Sequence, residues 1–166
     1  MLQPGRLRIC LVCTGNTCRS PMSEGILKVL AEDQDYWHWQ IQSGGLAAYP
    51  GAPPSAGSVT AALEEGVDIR SHRATLFTAA DARACDLILV HSGEHYYQVR
   101  SWGEDLEPKT FLLKNFPHPG DPGPQAWVDD PIGLELPAYR ATFLELKEVL
   151  TRIVPEIRKW AGEETG

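Results

Sequence analysis

Eight residues near the amino end of the chain combine a nucleophile, a glycine and an arginine. The segment from Cys13 to Ser20 reads CTGNTCRS, so five residues separate Cys13 from Arg19. Gly15 and Asn16 tolerate positive φ, which lets a short loop curl until successive backbone N–H groups point at one small anion. Arg19 adds a planar fork that matches two phosphate oxygens. The segment therefore predicts a phosphate-binding loop formed by Thr14, Gly15, Asn16, Thr17, Cys18 and Arg19.

Cys13 is the predicted nucleophile of this loop. A helix amino terminus, inward N–H groups and the Arg19 guanidinium all favour a thiolate, so we expect the pKa of Cys13 to be lowered. The Ser20 hydroxyl can hydrogen-bond the sulfur and assist its departure as a leaving group. The predicted reaction is in-line attack of Cys13 on phosphorus, giving a cysteinyl-phosphate that water then hydrolyses. This chemistry requires no metal and no cofactor.

A proton donor for the leaving group is expected further along the chain. Asp130 is the best candidate, in a run that reads VDDP and ends at Pro131. Proline pushes the preceding residue into an extended conformation, which helps to aim the Asp130 carboxyl group. Asp129 remains an alternative donor. A pair of groups of this kind predicts a bell-shaped pH profile.

Apolar strand-like runs alternate with segments of helical periodicity, which predicts βαβ units. The strands are expected at 8–13, 39–43, 86–90 and 110–113. The helices are expected to open at Ser20 as N-cap with Pro21 as first residue, and then to cover 55–65, 94–102 and 137–160. Pro155 is expected to kink or weaken the end of the last helix.

These elements predict an α/β fold in one domain over residues 1–166. We expect a three-layer sandwich with a central four-stranded parallel sheet flanked by helices and the phosphate-binding loop after the first strand. Ligands of such sheets bind at the carboxyl ends of the strands. The loop after the first strand and the proline-rich segment from Lys114 to Pro131 are therefore expected to meet there.

Charge and hydropathy narrow the range of partners. Fifteen Lys and Arg against 22 Asp and Glu give a net charge of −7, which disfavours nucleic acid and anionic membranes as partners. The apolar runs are shorter than the roughly 20 residues that a bilayer requires, and Met1 to Arg8 lacks the apolar region of a signal peptide. The sequence therefore predicts a cytoplasmic protein.

The remaining cysteines and the histidines support packing in this interpretation. Cys10 and Cys13 form a Cys-x-x-Cys pair, but residues three apart on a strand face opposite sides of the sheet, which disfavours zinc. Cys10 and Cys85 are predicted to be small core residues. A nucleotide-binding P-loop is excluded because no Gly-x4-Gly-Lys-Ser/Thr occurs. Structural roles are predicted for His38, His91, His95 and His118.

Taken together, these motifs resemble the low-molecular-weight protein tyrosine phosphatase family over essentially the whole chain. The resemblance rests on VCTGNTCRSPM from Val12, on the serine and glycines from Ser43, on Ser71-His72, and on Asp130-Pro131. It implies a nucleophilic Cys13, a phosphate-binding Arg19 and a general acid at Asp130. It also implies that a hydrogen-bond network braces the loop, formed by Asn16, Ser20, Ser43 and His72.

The same resemblance implies the partners and one regulatory residue. Phosphorylated proteins would be the substrates and inorganic phosphate the product. Cys18 would be the redox partner that traps Cys13 in a reversible disulfide under oxidation.

Two departures from the family pattern bear on the substrate. Ile132 and Gly133 follow Asp130-Pro131, where tyrosine-specific members commonly carry aromatic residues, and Tyr49, Trp127 or Tyr96 would then supply the aromatic wall. Thr17 stands where protein-arginine phosphatases carry threonine and many tyrosine phosphatases carry an aliphatic residue. We expect phosphotyrosine as substrate, with phosphoarginine as the alternative. An arsenate reductase and a non-catalytic phosphoprotein-binding module are more distant alternatives.

Overall fold

The computed structural model describes residues 5–163. Residues 1–4 and 164–166 lie outside this range. The ends of the predicted domain over 1–166, including part of the segment from Met1 to Arg8, therefore fall outside the described residues. The described chain forms one sheet of four parallel strands in the order β2-β1-β3-β4. The strands are β1 (Leu7–Cys13), β2 (Trp39–Gly45), β3 (Leu87–Val90) and β4 (Thr110–Leu112).

Helices cover both faces of the sheet, and the predicted fold class is confirmed. One face carries α1, α2 and α5, whose apolar residues join one core cluster, and the other carries α3 and α4. The helices are α1 (Arg19–Asp33), α2 (Ala56–Glu64), α3 (Ala79–Ala84), α4 (Gly93–Arg100) and α5 (Leu136–Trp160). Short 3-10 helices cover Glu104–Lys109 and Pro124–Ala126.

Strand β1 lies in the interior of the sheet and is packed from both sides. Leu7, Ile9 and Leu11 face the cluster that includes α1 and α5, whereas Cys10 and Val12 face the opposite cluster. A strand that is buried on both faces needs a nearly continuous apolar sequence, which is the pattern that β1 shows. Its carboxyl end therefore presents Cys13 from a rigid part of the fold.

The longest helix, α5, closes one face of the sheet. Phe143, Leu146, Leu150 and Ile153 are buried along it, and burial of each such side chain contributes about 1.5–3 kcal/mol. The helix continues through Pro155 to Trp160, so it is not interrupted where the sequence suggested a weak end.

The start of α1 differs from its prediction. The helix begins at Arg19 with Cys18 at the N-cap position, and no side chain caps it. Ser20, predicted as the N-cap, lies inside the first turn because its hydroxyl group hydrogen-bonds other residues of the loop instead. Arg19 is therefore the first residue of α1.

Helix α3 was absent from the predicted elements, although its start carries a recognisable signal. Thr78 and Asp81 form a reciprocal capping box, with the Thr78 hydroxyl accepting from the Asp81 N–H and the Asp81 carboxylate accepting from the Thr78 N–H. The helix has only six residues, too few for an apolar period to show in the sequence.

Within the part of the chain that is described, no helix is both long enough and apolar enough to cross a membrane.

Candidate active site

The segment between β1 and α1 forms a tight loop with Cys13 at one end and Arg19 at the other. Asn16 adopts φ 56°, the left-handed conformation that asparagine tolerates. Gly15 does not adopt a positive φ, so the expectation that it would share this role was wrong. One residue, Asn16, therefore makes the turn.

The Asn16 side chain and carbonyl group are held by four hydrogen bonds. Its Nδ2 donates to Ser20 Oγ at 2.8 Å and to Ser43 Oγ at 3.0 Å. Its Oδ1 accepts from the Thr75 N–H at 2.9 Å, and its carbonyl oxygen accepts from His72 Nε2 at 2.9 Å. The structure thus brings Asn16, Ser20, Ser43 and His72 together, and these bonds offset the strain of a left-handed residue.

Glu24 stands behind this network and was not singled out from the sequence. Its carboxylate accepts from the Ser43 hydroxyl and lies 3.9 Å from His72 Nδ1. Lys28 pairs with the same carboxylate at 2.6 Å. Glu24 lies four residues after Ser20, so the i, i+4 spacing on α1 is the sequence signal that places both side chains on one face.

The Cys13 thiol is buried and its Sγ lies 2.8 Å from Ser20 Oγ. Burial raises the pKa of Cys13 above its ordinary value, because removal from water penalises the thiolate. The Ser20 hydroxyl, the Arg19 charge and the backbone N–H groups of Ser20 and Asn16 pull the pKa down, but by less. The expected lowering of this pKa was therefore wrong, since desolvation outweighs the groups that favour the thiolate.

Arg19 is buried and only partly satisfied. Its Nη1 donates to the Val128 carbonyl at 3.0 Å, and its Nη2 lies 3.4 Å from both Thr14 Oγ1 and Asp130 Oδ2. Its Nε is buried and has no hydrogen-bond acceptor among residues 5–163. A buried N–H of a cation without an acceptor is unfavourable, so this guanidinium keeps one donor for a further acceptor.

The Asp130 carboxylate, in the segment before α5, contacts the Arg19 guanidinium. Its Oδ2 pairs with Arg19 at 3.4 Å, and its Oδ1 accepts from the Ile132 N–H at 3.1 Å. The side chain keeps 36% of its surface exposed, so it borders both the guanidinium and solvent. The neighbouring Asp129 is exposed.

Cys18 is buried in a separate polar cluster on the other side of the loop. Its Sγ lies 3.2 Å from Ser55 Oγ and donates to the Tyr139 hydroxyl oxygen at 3.9 Å. Ser58 Oγ lies a further 2.7 Å from Ser55 Oγ. Cys13 and Cys18 are both free thiols.

Two buried histidines, predicted to serve packing, contact this site from the end of β3. His95 Nε2 lies 2.8 Å from Thr14 Oγ1, and His91 Nδ1 donates to the Val12 carbonyl at 2.7 Å. Burial, reinforced by the Arg19 charge, lowers the pKa of each ring to about 3, so both are neutral. No spacing in the sequence links these residues to the loop, because the contact arises only when β3 pairs with β1.

The three aromatic residues considered for a substrate wall differ in exposure. Tyr96 is buried, and Trp127 donates from Nε1 to Asp121 at 2.9 Å. Tyr49 is 82% exposed, on a segment anchored to the loop by the bonds from the Leu46 N–H to the Cys13 carbonyl and from the Ser55 N–H to the Thr17 carbonyl.

Aliphatic side chains stand on the Asp130 side of the site. Ile132 and Leu134 are 59% and 60% exposed.

Among residues 5–163, no cluster of three or more His, Cys, Asp or Glu side chains could hold a metal ion.

Comparison with known proteins places these features in a family context. Residues 8–162 match the family described as low molecular weight phosphotyrosine protein phosphatase. The chain is 30% identical over 151 residues to a protein-arginine-phosphatase of Bacillus subtilis, covering 91% of this chain and 97% of that protein.

Solved structures agree with this assignment. A low molecular weight protein tyrosine phosphatase from T. tengcongensis is 33% identical with a TM-score of 0.81, covering 90% of this chain and 99% of that one. A mutant of the YwlE arginine phosphatase with a phosphorylated active-site serine is 30% identical with a TM-score of 0.80, covering 92% and 97%.

The first testable prediction concerns the balance at Cys13. Ser20→Ala removes the hydrogen bond that pulls the pKa of Cys13 down most strongly, so the pKa rises further. The rate of Cys13 alkylation by iodoacetamide, followed by peptide mass mapping, should then have its midpoint at a higher pH than in the wild type. Ser23→Ala is the matched control, because Ser23 on the same helix bonds His91 and not the thiol. An unchanged midpoint in Ser20→Ala would contradict the prediction.

Proposed function

Since this chain belongs to the low molecular weight phosphotyrosine protein phosphatase family, we propose that it hydrolyses phosphotyrosine in proteins through a phosphorylated Cys13. Membership makes it a protein phosphatase and a hydrolase. The observation that carries the mechanistic proposal is the buried Arg19 guanidinium, whose Nε finds no acceptor among residues 5–163 and whose charge acts on Cys13. A phosphoryl group supplies the missing acceptor and meets the nucleophile at the same place.

The first step transfers the phosphoryl group to sulfur. The Cys13 thiol is largely protonated at neutral pH because burial raises its pKa, so its proton must leave as the substrate enters. A phosphate dianion can accept that proton, which leaves a thiolate beside a monoanion. The thiolate attacks phosphorus, the bond from phosphorus to the tyrosine oxygen breaks, and Asp130 donates a proton to that oxygen.

The second step returns the enzyme to its starting state. The Asp130 carboxylate accepts a proton from water as the water oxygen bonds to phosphorus, and the phosphorus–sulfur bond breaks. The Ser20 hydroxyl, 2.8 Å from the sulfur, stabilises the departing thiolate. The released dihydrogen phosphate then returns a proton to the Cys13 sulfur, which restores the thiol. Arg19 and the loop N–H groups of Thr14 to Cys18 hold the phosphoryl oxygens in both steps. The phosphorylated active-site serine in the YwlE mutant supports a covalent intermediate of this kind.

Phosphotyrosine fits the surroundings of the loop. Tyr49 is an exposed aromatic ring on a segment anchored to the loop at both ends, and Ile132 and Leu134 offer exposed aliphatic surface on the Asp130 side. A phenyl ring can pack between an aromatic and an aliphatic wall. The T. tengcongensis structure is of a tyrosine phosphatase, which supports the same substrate.

Phosphoarginine is the second candidate because of Thr17. Its hydroxyl group can hydrogen-bond a guanidinium or orient the attacking water, which an aliphatic residue cannot do. Thr17 is partly exposed in the loop, and the Bacillus subtilis relative is a protein-arginine-phosphatase. The mechanism is unchanged, except that Asp130 protonates a guanidinium nitrogen of the leaving group.

Cys18 is proposed to protect the nucleophile during oxidation. Hydrogen peroxide converts the Cys13 thiol to a sulfenic acid with release of water, and the Cys18 thiol then displaces a second water to form a disulfide. Cys18 lies five positions after Cys13 in the same loop, and its sulfur contacts Ser55 and Tyr139.

We further propose that the protein acts in the cytoplasm on phosphorylated proteins, without nucleic acid or membrane partners.

Phosphate release from matched peptides tests the function. The wild type should release phosphate faster from a phosphotyrosine peptide than from the corresponding phosphoarginine peptide, and Cys13→Ser should release none above background. A preference for phosphoarginine would support the second candidate, and Thr17→Ile should then shift the preference towards phosphotyrosine. Release by Cys13→Ser at the wild-type rate would contradict the proposed nucleophile.

The role of Asp130 is tested by changing the leaving group. Asp130→Asn should lower kcat by roughly 10²–10⁴-fold on a phosphotyrosine peptide, because the tyrosine oxygen needs a proton as it leaves. The loss should be much smaller on an aryl phosphate whose leaving group is stable as an anion. Asp129→Asn is the matched control and should behave like the wild type. Equal losses by Asp130→Asn on both substrates would show that Asp130 is not the acid.

Peroxide treatment tests Cys18. Wild-type activity lost to hydrogen peroxide should return on addition of dithiothreitol, because the disulfide protects Cys13 from further oxidation. Cys18→Ala should lose activity irreversibly under the same treatment. Cys85→Ala, which removes a buried thiol outside the loop, serves as the control and should recover like the wild type. Full recovery in Cys18→Ala would remove the protective role.

A further inference from the structure

We propose that His95 is a positioning residue that, through Thr14, orients the Arg19 guanidinium towards the phosphoryl group. The proposal rests on the function proposed above and goes beyond it, since His95 contributes no side chain to the loop itself. His95 lies on α4, the helix after β3, and β3 pairs with β1 on the side away from β2. Three contacts carry the argument.

A continuous chain of polar contacts runs from α4 to the guanidinium. Ser92 Oγ lies 3.0 Å from His95 Nδ1, and His95 Nε2 lies 2.8 Å from Thr14 Oγ1. Arg19 Nη2 donates to the same Thr14 oxygen at 3.4 Å. Each ring nitrogen therefore has one hydroxyl partner, and the second hydroxyl group is shared with the cation.

The chemistry of these groups allows all of these hydrogen bonds to form at once. A hydroxyl oxygen has one proton and two acceptor sites, so Thr14 can bond His95 and still accept from Arg19. The neutral imidazole ring suits both hydroxyl partners in either tautomer, because each hydroxyl can donate or accept. Without the His95 bond, the Thr14 side chain is free to rotate and Nη2 loses a fixed acceptor.

A second route joins the same segment to the other end of the guanidinium. The His91 carbonyl accepts from the Val128 N–H at 2.7 Å, and the Val128 carbonyl accepts from Arg19 Nη1 at 3.0 Å. Residues 91–95 therefore set acceptors for both Nη1 and Nη2. The Nε group is left without an acceptor among residues 5–163, so it is the donor that remains for a bound anion.

Packing alone does not account for a histidine at this position. The His95 residue is 1% exposed, and burial of a polar ring is unfavourable unless its nitrogens are bonded. A leucine would fill such a space without that cost. The contact of its Nε2 with Thr14 explains why this position holds a histidine.

Two substitutions at His95 test the contacts of its two ring nitrogens separately. Asparagine at this position can keep the contact to Ser92 but is too short to reach Thr14, whereas glutamine can reach Thr14. Binding of inorganic phosphate, measured by calorimetry, should weaken about tenfold in His95→Asn and about threefold or less in His95→Gln. His118→Asn changes an exposed histidine in the loop after β4 and should bind phosphate like the wild type.

A double-mutant cycle with Thr14→Val identifies the route of the effect. If His95 acts through Thr14, the double variant His95→Asn with Thr14→Val binds phosphate no more weakly than Thr14→Val alone. Losses that multiply would overturn the proposal, because His95 would then act independently of Thr14. Equal losses in His95→Asn and His95→Gln would also overturn it, because reach to Thr14 would then make no difference. Thermal unfolding verifies that each variant is folded. If His95→Asn does not fold, Ser92→Ala replaces it in the same cycle.

Phosphate binding requires no turnover, which keeps this test separate from that of the function. A wild-type protein that binds phosphate but hydrolyses neither phosphopeptide would contradict the proposed function and leave the binding cycle interpretable. A hydrolytically active wild type with unaltered phosphate affinity in His95→Asn would overturn only the role of His95.

Discussion

The buried positive charge of Arg19 is the constraint to which the surrounding elements conform. A guanidinium removed from water needs acceptors, and three groups from two segments of the chain supply them: the Thr14 hydroxyl group, the Val128 carbonyl group and the Asp130 carboxylate. These partners come from the loop after β1 and from the segment before α5. The need to neutralise one cation thus brings together segments that are more than 100 residues apart in the sequence.

Cys13 shows the opposite electrostatic problem. Its thiol lies in the same buried region, where desolvation favours the neutral form more strongly than Ser20, Arg19 and the backbone N–H groups favour the thiolate. An anion that enters beside Arg19 changes this balance, because it brings a group that can accept the thiol proton. In the proposed mechanism, the Cys13 thiolate therefore forms as the substrate binds.

The parts of the fold that depend on local sequence could be predicted, and those that depend on tertiary contacts could not. The strand ending at Cys13, the helix after Ser55 and the apolar stripe of α5 each carry their signal within a few residues. Glu24 shares a helix face with Ser20, which its spacing indicates, but its bond to Ser43 forms only when α1 packs beside β2. His95 has no such spacing and reaches Thr14 only when separate elements pack. The pKa of Cys13 was misjudged for the same reason, because burial is a property of the whole fold and not of the loop.

The exposed residues around the site have a consequence for how such proteins diversify. Tyr49, Ile132 and Leu134 stand on surface segments and contribute little to either core cluster. If substrate docks there as proposed, substitutions at these positions change what docks at small cost to the free energy of unfolding, whereas changes at Asn16 or Arg19 disturb the buried network. Selection can therefore alter substrate choice by mutating the rim while the reaction chemistry is inherited intact, so one ancestral scaffold can give rise to enzymes acting on different phosphorylated side chains.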